Sequence, residues 1–122
     1  MAKVMIVDDD IILRDMYAER LKAESFEVEV AANGEEALEK LKTIRPDVIL
    51  LDIMMPKING FNVLETIKNT PEIKDVPVIM LTALIQEDNK KKGMAAGAYD
   101  YLAKSEAMPG EVVEKVKKAL GK

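Results

Sequence analysis

Short apolar runs rich in valine and isoleucine alternate along this chain with longer segments whose apolar residues recur at helical spacing. Such runs predict strands, which we place at 3–7, 26–31, 47–51, 77–81 and 98–103. Regular alternation of strand and helix is typical of a parallel sheet covered by helices on both faces. The 122 residues are enough for one such domain. We therefore predict an α/β fold, a doubly wound five-stranded parallel sheet made of five β-α units.

The predicted strands differ in how apolar they are. The run at 26–31 alternates apolar residues with Glu27 and Glu29, whereas the runs at 47–51 and 77–81 are almost wholly apolar. A central strand of a parallel sheet is buried on both faces, and an edge strand is more exposed. We therefore place the run at 26–31 at an edge of the sheet.

Four predicted helices carry an apolar face and a recognisable start. The faces are formed by Leu13, Met16, Tyr17 and Leu21; by Ala37, Leu38 and Leu41; by Phe61, Leu64 and Ile67; and by Val112, Val113, Val116 and Leu120. Asp10, Asn33 and Asn59 can cap the first three helices, and Pro109 suits the first turn of the last. The remaining segment, 86–98, has two glycines and a lysine run, with Met94, Ala95 and Ala96 as its plausible buried residues. We expect that helix to be loosely anchored.

Composition excludes several classes of function. The chain has no cysteine and no histidine, which removes disulfides, zinc-finger sites, Ser-His-Asp and Cys-His catalysis, and any phosphohistidine of its own. The net charge of −4 and the absence of a basic stripe argue against direct nucleic acid binding. No stretch is apolar and long enough to insert in a membrane. We expect a cytoplasmic protein with one domain, spanning 1–122, and no output domain in this chain.

Acidic side chains follow two of the predicted strands. Asp8 and Asp9 come directly after the first strand, and Asp52 comes directly after the third. Ligands of open parallel sheets bind outside the carboxyl ends of the strands, where the strand order reverses. If the first and third strands are neighbours, as in the order 2-1-3-4-5, the three carboxylates converge. Their repulsion and desolvation favour a cation that prefers oxygen ligands, most naturally Mg²⁺.

Polar groups also follow the last two strands, namely Thr82 and Lys104. A hydroxyl and an ammonium beside carboxylates and a metal suit a group with several negative oxygens, such as a phosphoryl group in transfer. A carboxylate can itself be the nucleophile and form an aspartyl phosphate, and Asp52 is the candidate. Each residue alone has an ordinary reading as a cap, a strand end or a solvated lysine. Because such groups coincide at four strand ends, the sequence favours a site for phosphoryl transfer.

Four segments of this chain resemble the receiver domain of two-component response regulators. They are VDDD at 7–10, DVILLDIMMPKINGF at 47–61, VIMLTA at 78–83 and GAYDYLAKS at 97–105. The resemblance covers essentially the whole chain. The chain is similar in organisation to stand-alone chemotaxis receivers, whose flavodoxin-like fold has the strand order 2-1-3-4-5. The resemblance implies a phosphorylation-dependent signalling switch that assists its own phosphotransfer and dephosphorylation, and not an enzyme with outside substrates. It also implies a phosphodonor partner, either a sensor histidine kinase or a histidine phosphotransfer protein.

The resemblance implies a role for each matching residue. Asp52 would accept the phosphoryl group. Asp9 would bind Mg²⁺ directly, Asp8 would assist, often through water, and the backbone carbonyl of Met54 would complete the protein ligands. Lys104 would pair with one phosphoryl oxygen and Thr82 would hydrogen-bond another.

Further positions concern the switch and its lifetime. Tyr101 would be the aromatic side chain whose rotamer follows the switch, and small Ala83 would leave the phosphoryl group room. The family usually has a proline where this chain has Ser105, so the Lys104–Ser105 peptide is either a costly cis bond or part of a loop with a different path. Met54 and Leu84 occupy positions that, in this family, influence how fast water removes the phosphoryl group. Both are apolar here and would position the attacking water poorly, which predicts a long-lived phosphorylated state.

Two other functions remain open from the sequence. One is an interaction module of the same fold that never turns over phosphate and uses its acidic site for Mg²⁺ or for folding. The other is a Mg²⁺-dependent phosphatase with Asp52 as nucleophile, for which the chain has no evident cap segment. Under the receiver interpretation, a downstream protein binds the surface of residues 86–120, and the chain is a monomer or a weak dimer.

Overall fold

The computed structural model describes residues 2–55, 58–83, 87–104 and 108–121. Within these ranges five strands alternate with five helices. In chain order they are β1 (Lys3–Val7), α1 (Ile11–Ala23), β2 (Glu27–Ala31), α2 (Gly34–Lys40), β3 (Val48–Asp52), α3 (Gly60–Lys68), β4 (Val78–Thr82), α4 (Glu87–Ala95), β5 (Asp100–Ala103) and α5 (Pro109–Ala119). Every predicted strand is present, with ends within two residues of the predicted ones.

The strands form one parallel sheet in the order β2-β1-β3-β4-β5. The predicted doubly wound, flavodoxin-like fold is therefore confirmed, and β2 lies at an edge as expected. The chain moves outward from β1 to β2 and then returns to place β3 on the other side of β1. The reversal point lies between the carboxyl ends of β1 and β3, which is where ligands of this architecture bind.

Two hydrophobic layers cover the sheet because successive side chains of a strand point to opposite faces. Strand residues of the layer beneath α2 and α3 include Met5, Val7, Ile49, Leu51 and Met80. Strand residues of the layer beneath α1 and α5 include Val4, Ile6, Val48, Leu50 and Leu81. Burial on both faces explains why β3 and β4 have nearly continuous apolar sequences.

Side-chain caps start the helices at the predicted places. Asp10, Asn33 and Asn59 each accept a hydrogen bond from the backbone N–H three residues later, at 3.1, 2.9 and 3.0 Å. Pro109 occupies the first turn of α5. The Asp10 cap leaves only Asp8 and Asp9 between β1 and α1, so both carboxylates stay at the carboxyl end of the sheet.

The predicted core face of α1 is wrong at one residue. Met16 is 41% exposed, whereas Tyr17, Ala18 and Leu21 are buried. The face of α1 that contacts the sheet is therefore rotated toward Ala18. A helical stripe read from sequence has uncertain borders, because residues at its margin lie between core and solvent.

The predicted burial of α4 is also wrong. Met94 is 44% exposed, and Ala95 and Ala96 are exposed as well. Gly93 is the buried residue of this helix. None of the helices within the described ranges is long and apolar enough to cross a membrane.

Candidate functional site

Four strands deliver polar side chains to one edge of the sheet. Asp8 directly follows β1 and Lys104 directly follows β5, as predicted. Asp52 and Thr82 are the last residues of β3 and β4, and not the first residues beyond them. The strands continue by one residue because Asp52 still pairs with Leu81 in the register of β3 and β4. This difference makes the position of Asp52 more rigid than that of a loop residue.

Three carboxylates converge at the reversal point of the sheet. Asp8, Asp9 and Asp52 each place one carboxylate oxygen within 4.8 Å of the other two. Asp8 is fully buried and Asp52 is 2% exposed, whereas Asp9 is exposed. The cluster is therefore a crevice with two acids at its floor and one at its mouth.

Lys104 lies between the two buried acids. Its Nζ donates a hydrogen bond of 3.0 Å to Asp8 Oδ1 and lies 3.0 Å from Asp52 Oδ2. Asp8 Oδ1 also accepts a hydrogen bond of 3.0 Å from the backbone N–H of Asp10, and Asp52 Oδ1 accepts one of 3.3 Å from that of Met54. The two carboxylates thus connect the end of β3 with the segments that follow β1, β3 and β5.

Each buried acid keeps one oxygen whose hydrogen-bonding capacity is unused. Asp8 Oδ2 and Asp52 Oδ2 are buried and accept no hydrogen bond from the part of the chain that the structure describes. The contact of Asp52 Oδ2 with Lys104 is an ion pair without hydrogen-bond geometry. Buried polar atoms nearly always take part in a hydrogen bond, so these two oxygens at one crevice leave room for a further ligand. Oxygen atoms of several carboxylates are the ligands that Mg²⁺ prefers, and the donor set therefore fits this ion.

The electrostatics of the crevice favour a proton or a cation. Burial raises the pKa of Asp52 to about 7; the negative charge of Asp8 adds to this rise and Lys104 opposes it. Burial by itself would lower the pKa of Lys104, but its contacts with Asp8 and Asp52 outweigh burial and raise that pKa. The two acids therefore hold Lys104 in its charged form, whereas burial and the charge of Asp8 disfavour the ionised form of Asp52.

The two predicted switch residues are both buried. Thr82 is 5% exposed at the end of β4, and Tyr101 is 5% exposed in β5. The Tyr101 hydroxyl donates a hydrogen bond of 2.6 Å to the backbone carbonyl of Asn89 in α4. Burial raises the pKa of Tyr101, and a hydrogen bond from the Gly93 backbone opposes the rise. Tyr101 therefore links the sheet to α4.

The remaining predicted positions have few described contacts with the crevice or lie outside the described residues. Ala83 is exposed beyond β4, and the Met54 side chain is 73% exposed while its N–H contacts Asp52. The Lys104–Ser105 peptide and Leu84 lie outside the described residues, so the predictions about them stay predictions.

Sequence reasoning missed two residues that contact the site. An ideal Cβ on Gly60 would lie 2.3 Å from the backbone oxygen of Asp52, so α3 begins directly against the strand that carries Asp52. Arg14 Nη1 donates a hydrogen bond of 3.4 Å to the backbone oxygen of Asp8. A glycine immediately after a helix cap is the signal that could have indicated the first contact, since it marks close approach of two backbones.

The parallel sheet, with an acidic crevice where its strand order reverses, defines a domain of the flavodoxin-like class. The response regulator receiver domain family matches residues 4–117. The chain belongs to this family. Receiver domains act in phosphorylation-dependent signalling in two-component systems, where they interact with histidine kinases and downstream targets, and they bind Mg²⁺ in an acidic pocket.

Similar proteins include longer regulators and single domains. The transcriptional regulatory protein CpxR homolog of Haemophilus influenzae is 44% identical over 104 residues, which are 85% of this chain and 44% of that protein. The phosphate regulon transcriptional regulatory protein PhoB of Rhizobium meliloti is 36% identical over 118 residues, 97% of this chain and 52% of that protein. The chain thus spans about half the length of these relatives.

Solved structures of similar size match the whole fold. The chemotaxis protein CheY4 of Vibrio cholerae has a TM-score of 0.93 and 36% identity, with 98% of this chain and 99% of that chain covered. A putative response regulator from Chloroflexus aurantiacus has a TM-score of 0.92 and 37% identity, with 99% and 98% covered.

Proposed function

We propose that this chain is a phosphorylation switch in which Asp52 accepts a phosphoryl group from a phosphohistidine of a partner. The observation that carries the proposal is the crevice itself. It joins a nearly buried acid at a rigid strand end, two further acids within 4.8 Å, and a lysine 3.0 Å from both buried acids. Nucleophile, cation site and charge-stabilising group are the parts that phosphoryl transfer to a carboxylate requires.

Asp8, Asp9, Asp52 and the backbone carbonyl of Met54 would hold Mg²⁺. The buried oxygens of Asp8 and Asp52 that accept no hydrogen bond within the described residues support this assignment, as does the exposure of Asp9 at the mouth of the crevice. Bound Mg²⁺ supplies positive charge that offsets the negative oxygens of the phosphoryl group.

In the transfer, an oxygen of Asp52 forms a bond to phosphorus while the bond between phosphorus and the donor imidazole breaks. The imidazole leaves and takes its proton from solvent. Lys104 favours the ionised, nucleophilic form of Asp52, since its positive charge lowers the pKa that burial raises. A phosphohistidine donor would lie outside these 122 residues, because they contain no histidine.

The new charge at Asp52 would bias the surface of α4, β5 and α5. Lys104 and Thr82 would contact the phosphoryl oxygens, and Tyr101 would respond, because it lies in β5 and is hydrogen-bonded to α4. Such a change is a population shift, limited by how much better one state holds the phosphoryl group. A downstream protein that reads residues 86–120 would then bind the two states differently. The output of the domain would be its altered binding to a signalling partner, and not a chemical product.

The test is phosphorylation by a small donor. The chain is incubated with acetyl phosphate with and without Mg²⁺, and its intact mass is measured. We expect one added phosphoryl group that needs Mg²⁺ and is absent from Asp52→Asn. Asp88→Asn, which changes an exposed aspartate of α4, serves as the control and should be phosphorylated normally.

Two results would overturn the proposal. One is undiminished uptake by Asp52→Asn, which would place the acceptor elsewhere. The other is no uptake by the wild type from acetyl phosphate or from a phosphorylated histidine kinase, which would favour an interaction module that does not turn over phosphate.

A further inference from the structure

The hydroxyl of Tyr101 is inserted into helix α4. It donates its hydrogen bond of 2.6 Å to the backbone carbonyl of Asn89. In an α-helix that carbonyl accepts the N–H of the residue four positions later, which here is Gly93. The tyrosine therefore meets α4 at the turn formed by Asn89 and Gly93.

Gly93 provides the space for this hydroxyl. An ideal Cβ at position 93 would lie 1.9 Å from Tyr101 Oη, 2.8 Å from Cζ and 3.0 Å from Cε2. The first two distances are shorter than real contacts allow, and the third is tighter than nearly all of them. The ring cannot move aside easily, because it belongs to the same buried cluster as Ile67, Met80 and Ala98. Any side chain at 93 would compete with Tyr101 for one volume.

Among the described residues, helix α4 has few other contacts with the rest of the domain; one is Lys92, whose Nζ lies 4.6 Å from the centroid of the Phe61 ring in α3. Gly93 is its buried residue, and its other described residues are exposed or half-buried. Glycine is also a poor helix former compared with alanine, so its place inside a helix requires a compensating contact. The Tyr101 hydroxyl is that contact.

We propose that Gly93 is a positioning residue that gives Tyr101 its buried position, and that the inserted hydroxyl in turn holds α4 on the sheet. Burial of Tyr101 and docking of α4 are then a single two-state element. Its regulatory meaning rests on the proposed function, because Asp52 phosphorylation would act on the same element. The element itself does not depend on phosphorylation and can be tested without Mg²⁺ or a phosphodonor.

The first test is hydrogen exchange of backbone amides, measured by NMR on the 122-residue chain. Gly93→Ala should lower the protection of α4 amides by about tenfold, as expected for loss of one buried hydrogen bond, and leave β1 and β3 unchanged. The matched control is Gly110→Ala in α5, where the nearest atom to an ideal Cβ is Arg20 Nη2 at 3.7 Å. It should leave α4 unchanged.

A double mutant separates crowding at position 93 from a general effect of alanine. Tyr101→Leu removes the three atoms that lie nearest to an ideal Cβ at position 93, because all three belong to the tyrosine ring or its hydroxyl. Adding Gly93→Ala to that background should raise α4 protection, because alanine is the better helix former. Gly93→Ala should therefore lower the protection of α4 amides when residue 101 is tyrosine and raise it when residue 101 is leucine. The same sign in both backgrounds would overturn the proposal.

Tyr101→Phe keeps the test valid if Gly93→Ala does not fold. It retains the ring and removes only the hydroxyl, and it should lower α4 protection while β1 and β3 keep theirs. Unchanged α4 protection in Tyr101→Phe would contradict the proposal. None of these outcomes bears on phosphoryl uptake at Asp52, so failure of one proposal is distinguishable from failure of the other.

Discussion

Replacing Asp52 with asparagine should stabilise the metal-free protein, and increasingly so as the pH rises. Asp52 is 2% exposed, and burial together with the charge of Asp8 raises its pKa from the ordinary value of 3.8 to about 7. A raised pKa means that the folded protein holds this proton more tightly than the unfolded chain does. Stability from this group is complete below pH 3.8, declines as the pH rises through the folded pKa, and is absent above about 7.

The size of the effect follows from the shift in pKa. Raising the Asp52 pKa from 3.8 to about 7 corresponds to about 4 kcal/mol of folding free energy at a pH above 7. Asparagine has no charge to bury, so the variant avoids this loss. It also loses the ion pair with Lys104, which keeps its hydrogen bond to Asp8. We expect a net stabilisation of about 2 to 4 kcal/mol at pH 8 and close to none near pH 4.

The assay is urea unfolding in EDTA at several pH values, with wild type and variant compared at each. Glu72→Gln, which changes an exposed carboxylate, is the control and should show no such trend. Adding Mg²⁺ should stabilise the wild type by about 2.7 kcal/mol at a hundred times its dissociation constant, and the variant by less. A difference between wild type and Asp52→Asn that is independent of pH, or a variant less stable at pH 8, would refute the reasoning.

Three other substitutions test single contacts. Lys104→Met leaves two buried carboxylates without their cation, so the metal-free protein should lose on the order of 3 kcal/mol in urea unfolding at neutral pH; a loss below about 1 kcal/mol would contradict this. In Asp100, burial would raise the carboxyl pKa, but the hydrogen bonds from Lys115 and from the Tyr101 backbone, together with the nearby lysine charges, outweigh burial and lower that pKa. Asp100→Asn should therefore cost up to about 1 kcal/mol at pH 7 and less as the pH falls below 3.8, whereas an equal cost in acid would be inconsistent with the ion pair. Gly60→Ala forces a Cβ toward the backbone oxygen of Asp52 and should cost about 1 to 3 kcal/mol and weaken Mg²⁺ binding; an unchanged Mg²⁺ titration would show that this contact does not position Asp52.

The strand pattern was predictable because burial on both faces of a parallel sheet leaves little choice of residue. The runs at β3 and β4 are apolar for this reason, and the charged edge strand β2 was recognised by contrast. The convergence of Asp8, Asp9 and Asp52 was predictable as well, since parallel strands end at one edge of their sheet. A Mg²⁺ site and Asp52 as the candidate nucleophile followed from these strand-end positions and from carboxylate chemistry. The separate roles of Asp8 and Asp9 at the metal came from the family resemblance.

The contacts of α4 were not predictable from its sequence. The helical pattern singled out Met94, Ala95 and Ala96 as buried because they are the apolar residues of the segment. The structure buries Gly93, which has no side chain to mark it, because Tyr101 arrives from β5 to fill the space. A contact that depends on an absent Cβ and a distant hydroxyl leaves no periodic signal. Gly60 differs, because its place directly after the Asn59 cap is a local signal of close backbone approach, although that signal does not identify Asp52 as the residue approached.

The most direct test of the central claim is to locate the phosphoryl group. The chain is phosphorylated with acetyl phosphate and Mg²⁺ and then treated with borohydride, which reduces only a carboxyl that carries an acyl phosphate, and peptides are mapped by mass spectrometry. The account predicts reduction at Asp52 and at no other acidic residue. Reduction at Asp8 or Asp9, or no reduced carboxyl in a chain that has gained a phosphoryl group, would contradict it.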